Sequence, residues 1–166
     1  MAMTQELAHH IKHELTINGL SNAFFNGLIA WLLIKDKGLL DWWGDHSFAV
    51  DILATAFILP FIVTLIVIPM QRRKARLGKV AAFHPDPSRI VENWIIRLPD
   101  NLMLNATLFG LAGMLLIAPL ILMGIYLAGV DSFTALQYSL FKGLWTGMMA
   151  SILVVPMILV GLRKTP

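Results

Sequence analysis

Apolar and polar positions fall in long alternating blocks along this chain, and four of the apolar blocks can cross a bilayer. They occupy residues 17–34, 48–70, 102–128 and 136–162, each near the roughly 20 apolar residues that a spanning helix needs. Ahead of the first block, residues 4–14 read as a polar helix capped by Thr4 that runs directly into the first span. Residues 71–101 have an organisation of their own. A basic stretch at 72–79 leads to Phe83-His84-Pro85-Asp86-Pro87, which breaks any helix. Asp86 or Ser88 then caps a short helix with Pro87 in its first turn. Ile90, Val91, Trp94 and Ile95 make one face of it, and Arg89, Glu92, Asn93 and Arg97 the other. That is the pattern of a helix lying in the membrane plane. Pro60, Pro119 and Pro156 fall inside spans and predict kinks whose freed carbonyls are satisfied by neighbouring helices.

The two halves of the chain share residues at fixed spacing. Asn18, Asn22, Ala23 and Gly27-Leu28 recur 83 positions later as Asn101, Asn105, Ala106 and Gly110-Leu111. The following helices match at an offset of 91, which sets Asp51 and Thr55 opposite Lys142 and Thr146, and Arg72-Arg73 opposite Arg163-Lys164. The expected fold is an all-α integral membrane protein, one domain over residues 1–166. Its four transmembrane helices come from a tandem repeat of a two-helix hairpin (about 15–74 and 98–164), with a cytoplasmic N-terminal helix and an in-plane helix added. Two spans per repeat make the copies parallel, unlike the inverted repeats of many secondary transporters.

Composition agrees with the patterning. The chain is 57 % hydrophobic and 14 % charged, against about 25 % charged residues in soluble domains. With no cysteine, disulfides and thiolate metal sites are excluded. The net charge of +3 is too localised to indicate nucleic acid. Arg72, Arg73, Lys74, Arg76, Lys79, Arg89 and Arg97 lie between the second and third spans, and Arg163 and Lys164 follow the fourth. The other two loops carry Lys35 and Lys37 against Asp36, Asp41 and Asp45, and Asp131 alone. Cationic loops stay inside, so both termini and the middle loop are expected in the cytoplasm, in a bacterial-type inner (plasma) membrane. Lacking a cationic leader, the first span reads as a retained signal anchor. Each basic residue of 72–79 would add about 1 kcal/mol of attraction to anionic headgroups, while Trp42 and Trp43 suit the interfacial belt.

Four features carry candidate chemistry. Asn18, Asn22 and Asn26 share one face of the first span, and Asn101 and Asn105 repeat the pattern in the third. Amides in hydrocarbon need partners, so they are expected to face one another or the bundle interior, as interhelical glue or as the lining of a polar path. Asp51 and Lys142, with Thr55 and Thr146 one turn deeper, form a second polar level near the outer side, read as a structural ion pair or a charged constriction. Gly19, Ala23 and Gly27, and Gly143, Gly147 and Ser151, allow close helix approach, within the bundle or in a homo-oligomer. Glu6, His9, His10 and His13 could bind a metal, but they match no defined metal motif and read as a solvated helix. No cofactor is expected. With no nucleophile, base and orienter to assemble, the chain is not expected to be an enzyme.

Two function classes follow. The first is a small transporter or channel subunit whose path is lined by the asparagines and the Asp51–Lys142 level, with oligomerisation expected to supply the walls that four helices lack. The second is a non-transporting accessory, assembly or scaffold protein that binds a membrane protein partner or anionic lipid.

Overall fold

The computed structural model describes residues 5–163, so the expected cap Thr4 and the aligned Lys164 lie outside the described residues. The chain runs α1 (Gln5–Ile34), β1 (Leu40–Asp41), α2 (Phe48–Arg76), α3 (Ile90–Arg97), α4 (Leu102–Ala112), a π-helical turn (Gly113–Ile117), α5 (Ala118–Leu127), β2 (Ser132–Phe133) and α6 (Ala135–Leu162). Four helical stretches are long and apolar enough to cross a membrane: Gln5–Ile34, Phe48–Arg76, Leu102–Leu127 and Ala135–Leu162. This is a multi-pass, all-helical membrane protein.

Side chains cap the starts of α2, α4 and α6. Ser47 Oγ accepts from Val50 N at 3.2 Å to begin α2. Thr134 and Gln137 form a reciprocal capping box at α6, which satisfies two backbone donors that would otherwise be orphaned. The short helix α3 begins later than the sequence suggests. Asp86 and Ser88 do not cap it; the cap position belongs to Arg89, which makes no side-chain cap bond. Ser88 N and Oγ instead donate to Asp86 Oδ1 at 2.9 and 2.7 Å, closing a local turn. These bonds hold the Asp86 carboxyl below the usual carboxylate range.

The third span changes pitch where Pro119 requires it. Proline cannot donate to the carbonyl one turn back, and the π-helical turn immediately before Pro119 absorbs the defect. Pro60 leaves the Ala56 carbonyl without its intrahelical donor in the same way, and Gly113 packs its Cα against that carbonyl, leaving no room for a Cβ. The backbone of α2 at Pro60 and the π turn of the third span therefore fit against each other.

The spans form an open row. α6 packs along α1 on one side and α2 on the other, and α2 in turn packs on α4 and the π turn. Small residues of α6 admit α1: a Cβ on Gly143 would lie 2.7 Å from Ala23 O, and one on Gly147 2.9 Å from Gly19 O. The opposite side of α6 carries Tyr138, Trp145 and Met149, buried against Phe48, Ile52 and Ala56 of α2. A second apolar core, with Val67, Ile68, Met157 and Ile158, fills the end where α1 begins and α6 finishes. That end holds the basic residues and α3. At the other end β1 pairs with β2 antiparallel, Leu40 opposite Phe133, and Trp42 Nε1 donates to Val130 O at 3.0 Å. Trp42 thus stitches two loops together, while Trp43 is exposed.

The α1–α6 seam tolerates no added volume. Gly147→Leu is expected to destabilise the fold by about 1–3 kcal/mol, whereas Gly124→Ala, where nothing lies within 4 Å, should be nearly neutral. Unfolding of the two variants in mixed micelles, followed by tryptophan emission, tests the contrast.

Candidate functional site

Asp51 stands in the first turn of α2, where the positive end of the helix dipole favours a carboxylate. Lys142 Nζ, from α6, donates to its Oδ1 at 2.8 Å and its Oδ2 at 2.6 Å. Tyr138, one turn earlier on α6, donates its hydroxyl to Oδ2 at 2.5 Å. The i, i+4 spacing aims both donors at one acid. The lysine side chain is 13 % exposed and the aspartate 40 %, so the pair is a neutralised, three-membered polar knot opening toward the hairpin end. Tyr138 had no place in the sequence reading, although its spacing from Lys142 is the signal that would have included it. Thr146 is buried and donates to Lys142 O at 2.6 Å, within its own helix. Thr55 is half-buried on α2 and makes no hydrogen bond with Thr146.

The asparagines of the first and third spans do not face one another, which was one of the placements expected of them; Asn105 takes another, the bundle interior. Asn18, Asn22 and Asn26 donate to the carbonyls of Glu14, Asn18 and Asn22 at 2.9, 2.8 and 3.0 Å, each one turn back on α1. A short amide in apolar surroundings takes the nearest acceptor, and on a helix that is the i−4 carbonyl. Asn101 is not within a span face at all: it is the exposed N-cap of α4, accepting from Leu104 N at 3.0 Å. Asn105 is fully buried, donating to Pro99 O at 2.6 Å and Asn101 O at 2.9 Å, and its Oδ1 finds no partner among the described residues. The two sets lie on opposite flanks of the row, with α6 and α2 between them. They neither meet nor join their helices through side-chain amides.

The basic end contains contacts that sequence spacing did not reveal. Lys74 Nζ pairs with Glu14 Oε1 at 2.5 Å, tying α1 to the end of α2. His10 Nε2 bonds Gln71 Oε1 at 2.8 Å; the oxygen only accepts, so in this orientation of the amide the imidazole nitrogen carries the hydrogen. Arg163 is a clamp. Its Nη1 donates to Ile95 O at 2.5 Å, and its Nη2 to Pro99 O at 2.9 Å and Asp100 Oδ1 at 2.6 Å. These bonds fasten α3 and the start of the third span to the end of α6. In the sequence Arg163 registered as a charge and as the counterpart of Arg72; the backbone carbonyls among its acceptors are displayed by no pattern of letters.

Glu6, His9, His10 and His13 do not assemble a site: among the described residues no group of three or more histidine, aspartate or glutamate side chains could hold a metal ion. Cavities divide by position. Along the spans, a groove of about 640 Å³ between α1 and α6 is lined by Leu20, Phe24, Trp31 and Leu140 among others. Another of about 490 Å³ lies between Trp94, Leu108 and Pro156. The polar cavities are at the basic end, one of about 890 Å³ beside His9, His10 and Lys79, the other of about 470 Å³ beside Arg72, Arg76 and Arg163.

Compared with protein-family models, curated proteins and solved structures, the chain matches none of them.

Two stability contrasts follow from this geometry. Lys142→Met is expected to cost more than the Asp51→Asn/Lys142→Met pair of substitutions, since the single change strands a charge; the cycle should return a coupling of about 1–2 kcal/mol. Asn105→Ala is expected to cost about 1–3 kcal/mol through lost buried bonds, and Asn22→Ala under about 0.6 kcal/mol because it joins no second helix. Equal costs for the two asparagines would refute the difference in their roles.

Proposed function

We propose that this protein is a non-transporting membrane scaffold or accessory subunit, with both termini and the middle loop in the cytoplasm of a bacterial-type inner membrane. The observation that carries this reading is how its intramembrane polar groups are satisfied. The asparagines of α1 bond their own helix, Asp51 is neutralised by Lys142 and hydrogen-bonded by Tyr138, and the two asparagine sets sit on opposite flanks. Of these, the Asp51–Lys142–Tyr138 contact ties α2 to α6, while the α1 amides are spent within their own helix. A path would need them to converge on one space, and the cavities along the spans described above are apolar.

The flanks supply surface for a partner. Phe24, Phe25, Leu28, Leu32 and Leu33 of α1 are all exposed, which suits either lipid or another membrane helix. On this reading α3 lies in the membrane plane, its exposed Ile90, Val91 and Trp94 dipping into the acyl boundary while Arg163 holds its backbone. The offset correspondences fit a tandem hairpin repeat in which Asp51 and Lys142 take equivalent positions with opposite charge.

A transporter subunit is the second reading, and one observation favours it. Asn18 and Asn26 leave their Oδ1 atoms unengaged among the described residues along a half-buried face of α1, and a second copy packed there could enclose them. Proteoliposomes separate the two. The scaffold reading expects proton and potassium leak no greater than in protein-free vesicles. A flux that Asn22→Leu or Asp51→Asn abolishes would replace it with the transport reading.

A further inference from the structure

Between the last turn of α2 and the end of α6 lies the 470 Å³ cavity lined by Arg72, Arg76, Arg163, Asp100 and small residues including Ala75 and Ala82. Arg72 and Arg76 are one turn apart and project from one side of α2. The charges are unequal: three guanidiniums face one carboxylate. Asp100 is paired with Arg163 at 2.6 Å, and Arg72 Nη2 donates to the Asp100 backbone oxygen at 3.1 Å. Neither Arg72 nor Arg76 has an ion-pair partner among the described residues. The Arg163 side chain, 7 % exposed, is held rigid by its backbone acceptors, so part of the cavity wall is fixed before any ligand arrives.

Its level in the fold narrows the ligand. Arg72 follows the apolar run of α2 by two residues, and the floor is Val160, Gly161 and Leu162, where the apolar run of α6 ends. The exposed apolar face of α3 is at the same end of the bundle. Guanidiniums recognise phosphate oxygens through paired N–H donors, and basic pockets where spans meet the cytoplasmic surface suit lipid head groups.

We propose that this cavity is a specific phosphate-ester site, occupied by the head group of an anionic phospholipid. The same chemistry would accept a soluble phosphate, and the two sources are separable. The site does not depend on whether the bundle acts as a scaffold or in transport, so its test and the flux test fail independently.

The test uses the full chain, delipidated in a neutral detergent, with its unfolding temperature followed by tryptophan emission as phosphatidylglycerol, phosphatidylcholine or inorganic phosphate is titrated. Phosphatidylglycerol should raise the unfolding temperature and phosphatidylcholine should not. Arg72→Gln/Arg76→Gln should raise the half-saturating phosphatidylglycerol concentration about tenfold or more, given two lost charges at the surface. Arg76→Gln alone, which breaks no internal bond, should raise it several-fold in a protein of unchanged basal unfolding temperature. Arg73→Gln, which does not line the cavity, should weaken binding less than Arg76→Gln does, losing only general surface attraction, about fivefold at most. A response to inorganic phosphate with the same dependence on Arg72 and Arg76 supports the phosphate site and assigns it to a soluble ligand. The proposal is overturned if the double variant binds phosphatidylglycerol as the native chain does, if Arg73→Gln weakens binding equally, or if phosphatidylcholine acts alike.

Discussion

The structure depends on α6 being able to bury two different sides at once. In a bilayer there is no hydrophobic gain from bringing two helices together, so association relies on close packing and on polar contacts. α6 supplies both. Gly143 and Gly147 leave a shallow track into which the backbone of α1 settles, and the far side presents Tyr138, Trp145 and Met149 to α2. Remove the track and α1 retains few neighbours within the bilayer. Remove the bulky side and the α2 contact loses its filling. The third span is attached through α2, by the fit of Gly113 against the carbonyl that Pro60 leaves open.

Polar chemistry is layered on that packing at two levels. At the hairpin end, Asp51, Lys142 and Tyr138 fix the rotation of α6 against α2. At the basic end, Glu14 with Lys74 and His10 with Gln71 fix α1 against α2. Arg163 fastens α3 and the chain around Pro99. Between these levels the helices touch mainly through apolar and small residues.

What the sequence made legible was what repeats or alternates. Apolar runs marked the spans, Pro119 marked the change of pitch in the third span while Pro60 and Pro156 lie in unbroken α-helix, and Ile90, Val91 and Trp94 marked a helix with an unburied apolar side. Spacing also set Asp51 and Lys142 at one level, and their side chains are long enough to close the distance. The asparagines were harder to read. An amide at a helical position has an acceptor one turn back whatever the tertiary fold, so an i, i+4 stripe leaves open whether its members reach a neighbour. Asn101 shows the same ambiguity at a helix start, where the letter that looked like part of a stripe is a cap. Arg163 was hard to read because it bonds the main-chain oxygens of Ile95 and Pro99 as well as the Asp100 carboxylate, all positioned by a segment whose path follows from the whole fold.

The packing of α1 on α6 rather than on α2 has a temporal side. Thr146 lies 124 residues after the Asn22 carbonyl it approaches, so during synthesis α1 enters the bilayer long before the helix it rests against. Until then Gly19 and Gly27 of α1, which meet α6 in the finished bundle, face lipid or a transient companion. The first helix made is thus among the last to find its place, and a chain interrupted before α6 would leave α1 without its main partner while α2 and the third span still packed on each other.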